Sequence, residues 1–185
     1  YIVSHSVNSP STLDVINKFS KKFDVKHVEY DTSSYSGMLD ANKESFGKRK
    51  IPFYDFSKAK TIVSFGYDFL GSSFNHDLFN QQFTKQRVVN RDKREMSRLY
   101  TFESNLSLTG ANSDHRIPIK SSHSKIYIAE LWNILNSKIG SGRDSISFSK
   151  TKKSLLKLDI LNKVADDLIQ NLGSSLVISL SLIHI

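Results

Sequence analysis

At 185 residues, with 38% hydrophobic and 24% charged side chains, the chain has the length and composition of one soluble globular domain with a real core, and little room for disorder. It contains no cysteine, which excludes a disulfide, an iron–sulfur cluster, a zinc–thiolate site and a cysteine nucleophile from this segment. The net charge of +8 invites a polyanionic partner, but the basic runs GKRK (47–50), RDKR (91–94) and SKTKK (149–153) fall between periodic segments without a nucleic-acid motif, and read as solvated loops and helix ends.

In chain order, Ile2 and Val3 read as a short strand, and SPST (9–12) combines a serine cap with an early proline that opens a helix. Leu13, Ile16, Phe19 and Phe23 recur near helical spacing and predict one apolar face. VKHVEYD (25–31) is a strand ending in a polar turn, and SYSGMLDANKESFG (34–47) a short helix stopped by Gly47. KIPFYDFSKAK (50–60) is a loop, because Pro52 steers Ile51 out of the helical region.

TIVSFGYD (61–68) is the clearest strand: Ile62, Val63 and Phe65 form a near-continuous apolar run, as in a parallel strand covered on both faces, and Gly66 marks the turn after it. Phe74, Leu78, Phe79 and Phe83 predict an amphipathic helix, Val88–Val89 a short strand and RDKREM a loop. Two further strands, 97–102 and 116–119, bracket the polar segment ESNLSLTGANSDH (103–115). Ile128, Leu131, Trp132 and Leu135 mark another helix, Gly140 to Arg143 a linker, and Leu161, Val164, Leu168 and Leu172 a last helix ending near Gly173. SLVIS (175–179) begins a final strand.

This alternation predicts an α/β, three-layer Rossmann-like domain over residues 1–179, with a mainly parallel sheet incomplete at both ends. The last six residues, LSLIHI (180–185), match the translation of the mosaic end of a widely used transposon sequencing adapter. The native part of this sequence is therefore expected to stop near Ser179, with a native apolar C-terminus as the alternative, and His184 is assigned no role. No apolar run is long enough to span a bilayer, and YIVSHSVNSP lacks an initiator methionine and a signal sequence, so the chain reads as an internal fragment.

In a parallel sheet, ligands gather beyond the carboxyl ends of the strands, so the informative loops follow Phe65 and Phe102. SFGYDFLGSS (64–73) has the strand, turn and helix order of a phosphate loop but neither GxGxxG nor GK[ST], so a structural turn is the stronger reading. The six histidines form no HxxxH or HExxH pair, and no GxSxG elbow supports a Ser/His/Asp triad. Asp114, His115 and Arg116 are adjacent, but neighbours in an extended segment point to opposite faces. The polar side chains of 103–115 suit either a heteroaromatic ligand or a self-satisfied loop.

SYSGMLDANKESFG, TIVSFGYDFLGS and MSRLYTFESNLSLTGANSDHRIPIK resemble consecutive blocks of the molybdopterin-oxidoreductase-like region of the iron–sulfur B subunits of alternative complex III. The resemblance runs collinearly over most of residues 1–179. The broader family's T-x-TA-x-x-AD-like pattern corresponds here to Ser107, Thr109, Gly110, Ala111 and Asp114. It implies a domain that keeps the fold and has lost the cofactor, with no catalytic or metal residue. Gly66, Asp68, Glu103, Asn105, Thr109 and Asp114 would then be the vestiges of a pterin site. It further implies iron–sulfur clusters in a downstream region, haem c and integral membrane partner subunits, no nucleic acid, and a place on the periplasmic side of a bacterial inner membrane. Two alternatives stay open: a true molybdopterin-binding oxidoreductase subunit, and an unrelated nucleotide-binding α/β protein with Gly66 at a phosphate.

Overall fold

The computed structural model describes residues 1–31, 35–89, 91, 94–140, 142–147 and 156–179. The suspected adapter residues, the SKTKK run and part of the RDKR run lie outside them. Where the sequence predicts one domain, the chain forms two compact units that divide at Pro52.

The first unit is a βαβ element followed by a helix. Strand β1 (Ile2–Ser4) pairs in parallel with β2 (His27–Glu29), Val3 lying opposite Val28. Helix α1 (Pro10–Phe23) connects them. Its start is dictated locally: the Ser9 side chain accepts from the Thr12 N–H, and Pro10 occupies a position where an amide hydrogen would go unused. Asp24, in the left-handed region at φ 51°, closes the helix. The predicted apolar face is only partly covered, since Leu13 and Ile16 are half-buried while Phe19 and Phe23 are exposed. Helix α2 (Ser36–Phe46) ends at Gly47 with φ 70°, a conformation that glycine adopts without steric cost.

The second unit is Rossmann-like. After a short 3-10 turn at Phe56–Lys58 come β3 (Thr61–Phe65), α3 (His76–Arg87), β4 (Arg98–Glu103), α4 (Leu108–Ala111), β5 (His115–Pro118), α5 (Ser124–Ile139), α6 (Leu158–Gln170) and β6 (Ser175–Ser179). The four strands form one sheet in the order β5-β4-β3-β6, and every pair is parallel. Numbered from β3, this is the 3-2-1-4 arrangement that begins a doubly wound sheet. The chain steps outward from β3 to β5 and then returns to β6 on the other side of β3.

Helices on both sides explain why all five β3 residues are buried. Val63, Phe65, Tyr100, Phe102 and Ile117 pack against Tyr127 and Leu131 of α5 and Leu161, Val164, Ala165 and Leu168 of α6. On the opposite face the core is aromatic: Phe56 stacks on Phe69 at 4.2 Å and meets Phe79 edge-on at 4.9 Å, and Phe83 closes on Phe69 at 5.7 Å. Each fully buried ring contributes about 1.5–3 kcal/mol relative to an exposed one. Val88 and Val89 do not form the predicted strand; they are half-exposed and follow the end of α3. Leu172 likewise lies past the end of α6 and is 74% exposed, so the helix face stops at Leu168.

Candidate functional site

The loops after β3 and β4 converge at the carboxyl end of the sheet, and the segment after β4 ends in the short helix α4. Gly66 turns the chain out of β3 at φ 68°, and a Cβ there would meet nothing within 4 Å. Its glycine is therefore required by backbone conformation. The Gly66 N–H already donates to the Phe102 carbonyl at 2.8 Å, so it is not presented to a phosphate.

Asp68 faces α4. Its Oδ1 accepts from both the N–H and the hydroxyl of Thr109, at 2.9 and 2.8 Å. The Thr109 hydroxyl in turn accepts from Leu70 N–H at 3.1 Å, and Thr109 is fully buried. Thr109→Val keeps the volume but leaves the Leu70 amide unpaired and strips a donor from Asp68. It is expected to lower stability by about 1–3 kcal/mol in urea denaturation.

Glu103 ends β4 with only 5% of its surface exposed. Its carboxylate receives the Arg116 Nε at 2.5 Å and the Ser107 hydroxyl at 2.6 Å. Ser107 also caps α4, its Oγ accepting from Gly110 N–H at 3.0 Å. Gly110 lies directly against this carboxylate: a Cβ would fall 1.9 Å from Oε1 and 2.5 Å from Cδ. Ala111 is exposed on the outer side of α4.

Two of the predicted residues stand apart. Asn105 is exposed and, among the described residues, meets no hydrogen-bond partner. Asp114 precedes β5 and sits near the amino end of the sheet, where its carboxylate accepts two bonds from Arg87 at 2.8 Å each and one from Leu99 N–H at 2.8 Å. Leu99 lies four residues before Glu103 on β4, roughly 13 Å away along a strand. Asp68, Glu103 and Thr109 therefore share a neighbourhood that Asp114 does not enter. His115 and Arg116 do point to opposite faces, as alternation requires: His115 stacks on Tyr100 at 4.9 Å while Arg116 reaches Glu103.

No family model matches the chain, and no curated protein matches it. Among the described residues no group of three or more His, Cys, Asp or Glu side chains is placed to hold a metal ion. At the carboxyl end, Asp68 Oδ1, Thr109 and the Glu103 carboxylate are engaged with neighbouring protein groups, whereas Asn105 stays open to solvent.

Sequence reasoning missed Arg87, the cation that pairs with Asp114, and the pairing of Arg116 with Glu103. It also missed a second polar cluster at the amino end of the sheet. There the Asp167 carboxylate receives Arg98 Nη1 at 2.6 Å and the Tyr100 hydroxyl. Burial, reinforced by this bond to a carboxylate, pushes the Tyr100 hydroxyl up to about 12. Burial opposes ionisation of Asp167, yet Tyr100 and Arg98 hold its carboxyl below the ordinary aspartate value. A cavity of about 590 Å³ beside this cluster is lined by Lys60, Gln86, Ser97, Arg98 and Asn171. The signal was the alternation of Arg98, Tyr100 and Phe102 along one strand, but their partner Asp167 is far away in sequence.

Proposed function

We propose that this chain is a non-catalytic, molybdopterin-oxidoreductase-like scaffold domain of the iron–sulfur subunit of a quinol-oxidising respiratory complex of the alternative complex III type. Its role is to support electron transfer toward cytochrome c or a terminal oxidase without carrying electrons itself. The observation that supports this reading is the closure at the carboxyl end of the sheet, where Asp68 is tied to Thr109 and Glu103 to Ser107 and Arg116. A working cofactor site presents polar groups to its ligand, whereas these groups satisfy one another. Scaffold use needs only the rigid fold that such bonds provide.

On this reading the clusters belong to another region of the subunit, and the partners are haem c and integral membrane subunits on the periplasmic side of the membrane. No helix among the described residues is long and apolar enough to cross a bilayer, which is compatible with attachment through partners. The test is elemental and pterin analysis of the purified full-length subunit in its complex. Iron without stoichiometric molybdenum, tungsten or pterin is the expected result; a bound pterin with either metal overturns the reading.

A further inference from the structure

Helix α1 has a wider apolar arc than its sheet covers. Leu13, Ile16 and Ser20 are half-buried, while Val15, Phe19 and Phe23 form a second stripe at i, i+4 and i+8 that is 65%, 47% and 56% exposed. The two phenyl rings are in contact at 4.6 Å between centroids and form one patch, with Val15 one turn before them on the same stripe. Lys18 and Lys22 border it at helical spacing, Lys21 lies one step further round and Lys26 follows the helix; all four are exposed. The acidic residues of α1 and its cap are Asp14, paired with Lys18 at 2.6 Å, and Asp24.

From this arrangement we infer that α1 is a docking surface for a lipid bilayer carrying anionic headgroups. Lys22 decides between a bilayer and a dry protein surface. Its ammonium lies 5.4 Å over the Phe23 ring, at the edge of the apolar stripe. A dry protein cover would bury that charge, and lysine is depleted from the centres of protein interfaces for this reason. A bilayer surface accommodates both groups. The rings enter the boundary between headgroups and acyl chains, the lysine stems lie along it, and the ammonium groups reach the phosphates. Three lysines along one amphipathic helix, with Lys26 just beyond it, also supply the charge complementarity that anionic lipid requires.

This inference does not rest on the scaffold reading, and the vesicle experiment can fail while the pterin analysis succeeds, or the reverse. The test is co-sedimentation of the full chain with phosphatidylcholine vesicles, with and without phosphatidylserine. The protein is expected to partition onto the phosphatidylserine vesicles and to release as salt is raised. Phe19→Ser with Phe23→Ser should weaken binding about tenfold or more. Alanine at Lys18, Lys21 and Lys22 should weaken it by about fivefold for each lysine. Circular dichroism checks that these exposed substitutions leave the fold intact, and Phe19→Trp provides a second readout through a blue shift of its emission on adding phosphatidylserine vesicles. Absence of binding, equal binding to both vesicle types, or undiminished binding by the variants overturns the proposal. Self-association abolished by Phe19→Ser with Phe23→Ser, without vesicle binding, overturns it in favour of a protein occupant.

Discussion

Gly110→Ala is expected to lower folding stability by about 2–4 kcal/mol, the cost of breaking a largely buried, hydrogen-bonded ion pair. The added methyl carbon would stand 1.9 Å from Glu103 Oε1 and 2.8 Å from Oε2, so the carboxylate must leave. On a free surface such a side chain would swing aside at little cost. Here Glu103 is 5% exposed and held by Arg116 and Ser107, so moving it strips both partners. Urea denaturation measures the loss. Glu103→Ala added to Gly110→Ala removes the collision and should recover part of it, although Arg116 stays unpaired. A single mutant within about 0.5 kcal/mol of wild type, the usual range for an inconsequential surface change, would show that the carboxylate is not confined there.

Asp114→Ala is expected to cost about 2–3 kcal/mol, since it removes the carboxylate partner of Arg87, which keeps its bond to the Ser97 carbonyl, and leaves the Leu99 amide without its acceptor. The same residue makes stability depend on acid. Burial alone would raise the Asp114 carboxyl, but the bonds from Arg87 and Leu99 N–H, with the charge of Arg87 and the nearby His115, hold it below its ordinary value. A carboxyl lowered in the folded state stabilises fully above its unfolded pKa, about 3.9, and that contribution disappears as pH falls through the folded value. Denaturation curves below about pH 4 should therefore flatten in Asp114→Asn relative to wild type. If Asp114 instead bound a pterin, alanine there would release cofactor from the full-length subunit; the scaffold reading expects unchanged metal content.

Much of the architecture could be read from local rules. Ser9 and Pro10 announce α1, Gly47 stops α2, and the apolar run of β3 requires cover on both faces, all of which the fold contains. The grouping of Asp114 with Glu103 failed for a reason latent in the predicted parallel sheet. If β5 runs parallel to β4, the chain must travel back to the amino end before β5 begins, so a residue just ahead of β5 cannot stay beside the end of β4. Nearness in sequence obscured that constraint. Arg116 could have been placed by alternation along β5, whereas Arg87 and Asp167 could not, because nothing local reveals which distant helix supplies a counter-charge. Periodicity located the apolar arc of α1 but carried no information about its cover, and a two-stranded sheet covers only part of it.

The return of the chain to β6 has a consequence for the order of assembly. Thr61 pairs with Arg98 on one side and Ser175 on the other, so β3 meets β4 across a short loop and β6 across one about three times longer. Closing the longer loop costs about 1 kcal/mol more in chain entropy. Strands β3, β4 and β5 can thus associate as neighbours while β6 waits for α5 and α6 to pack. The bond from Asn171 Nδ2 to Thr61 Oγ1 spans that late junction. Substitutions around Asn171 should mainly accelerate unfolding, whereas those between β3 and β4 should slow folding.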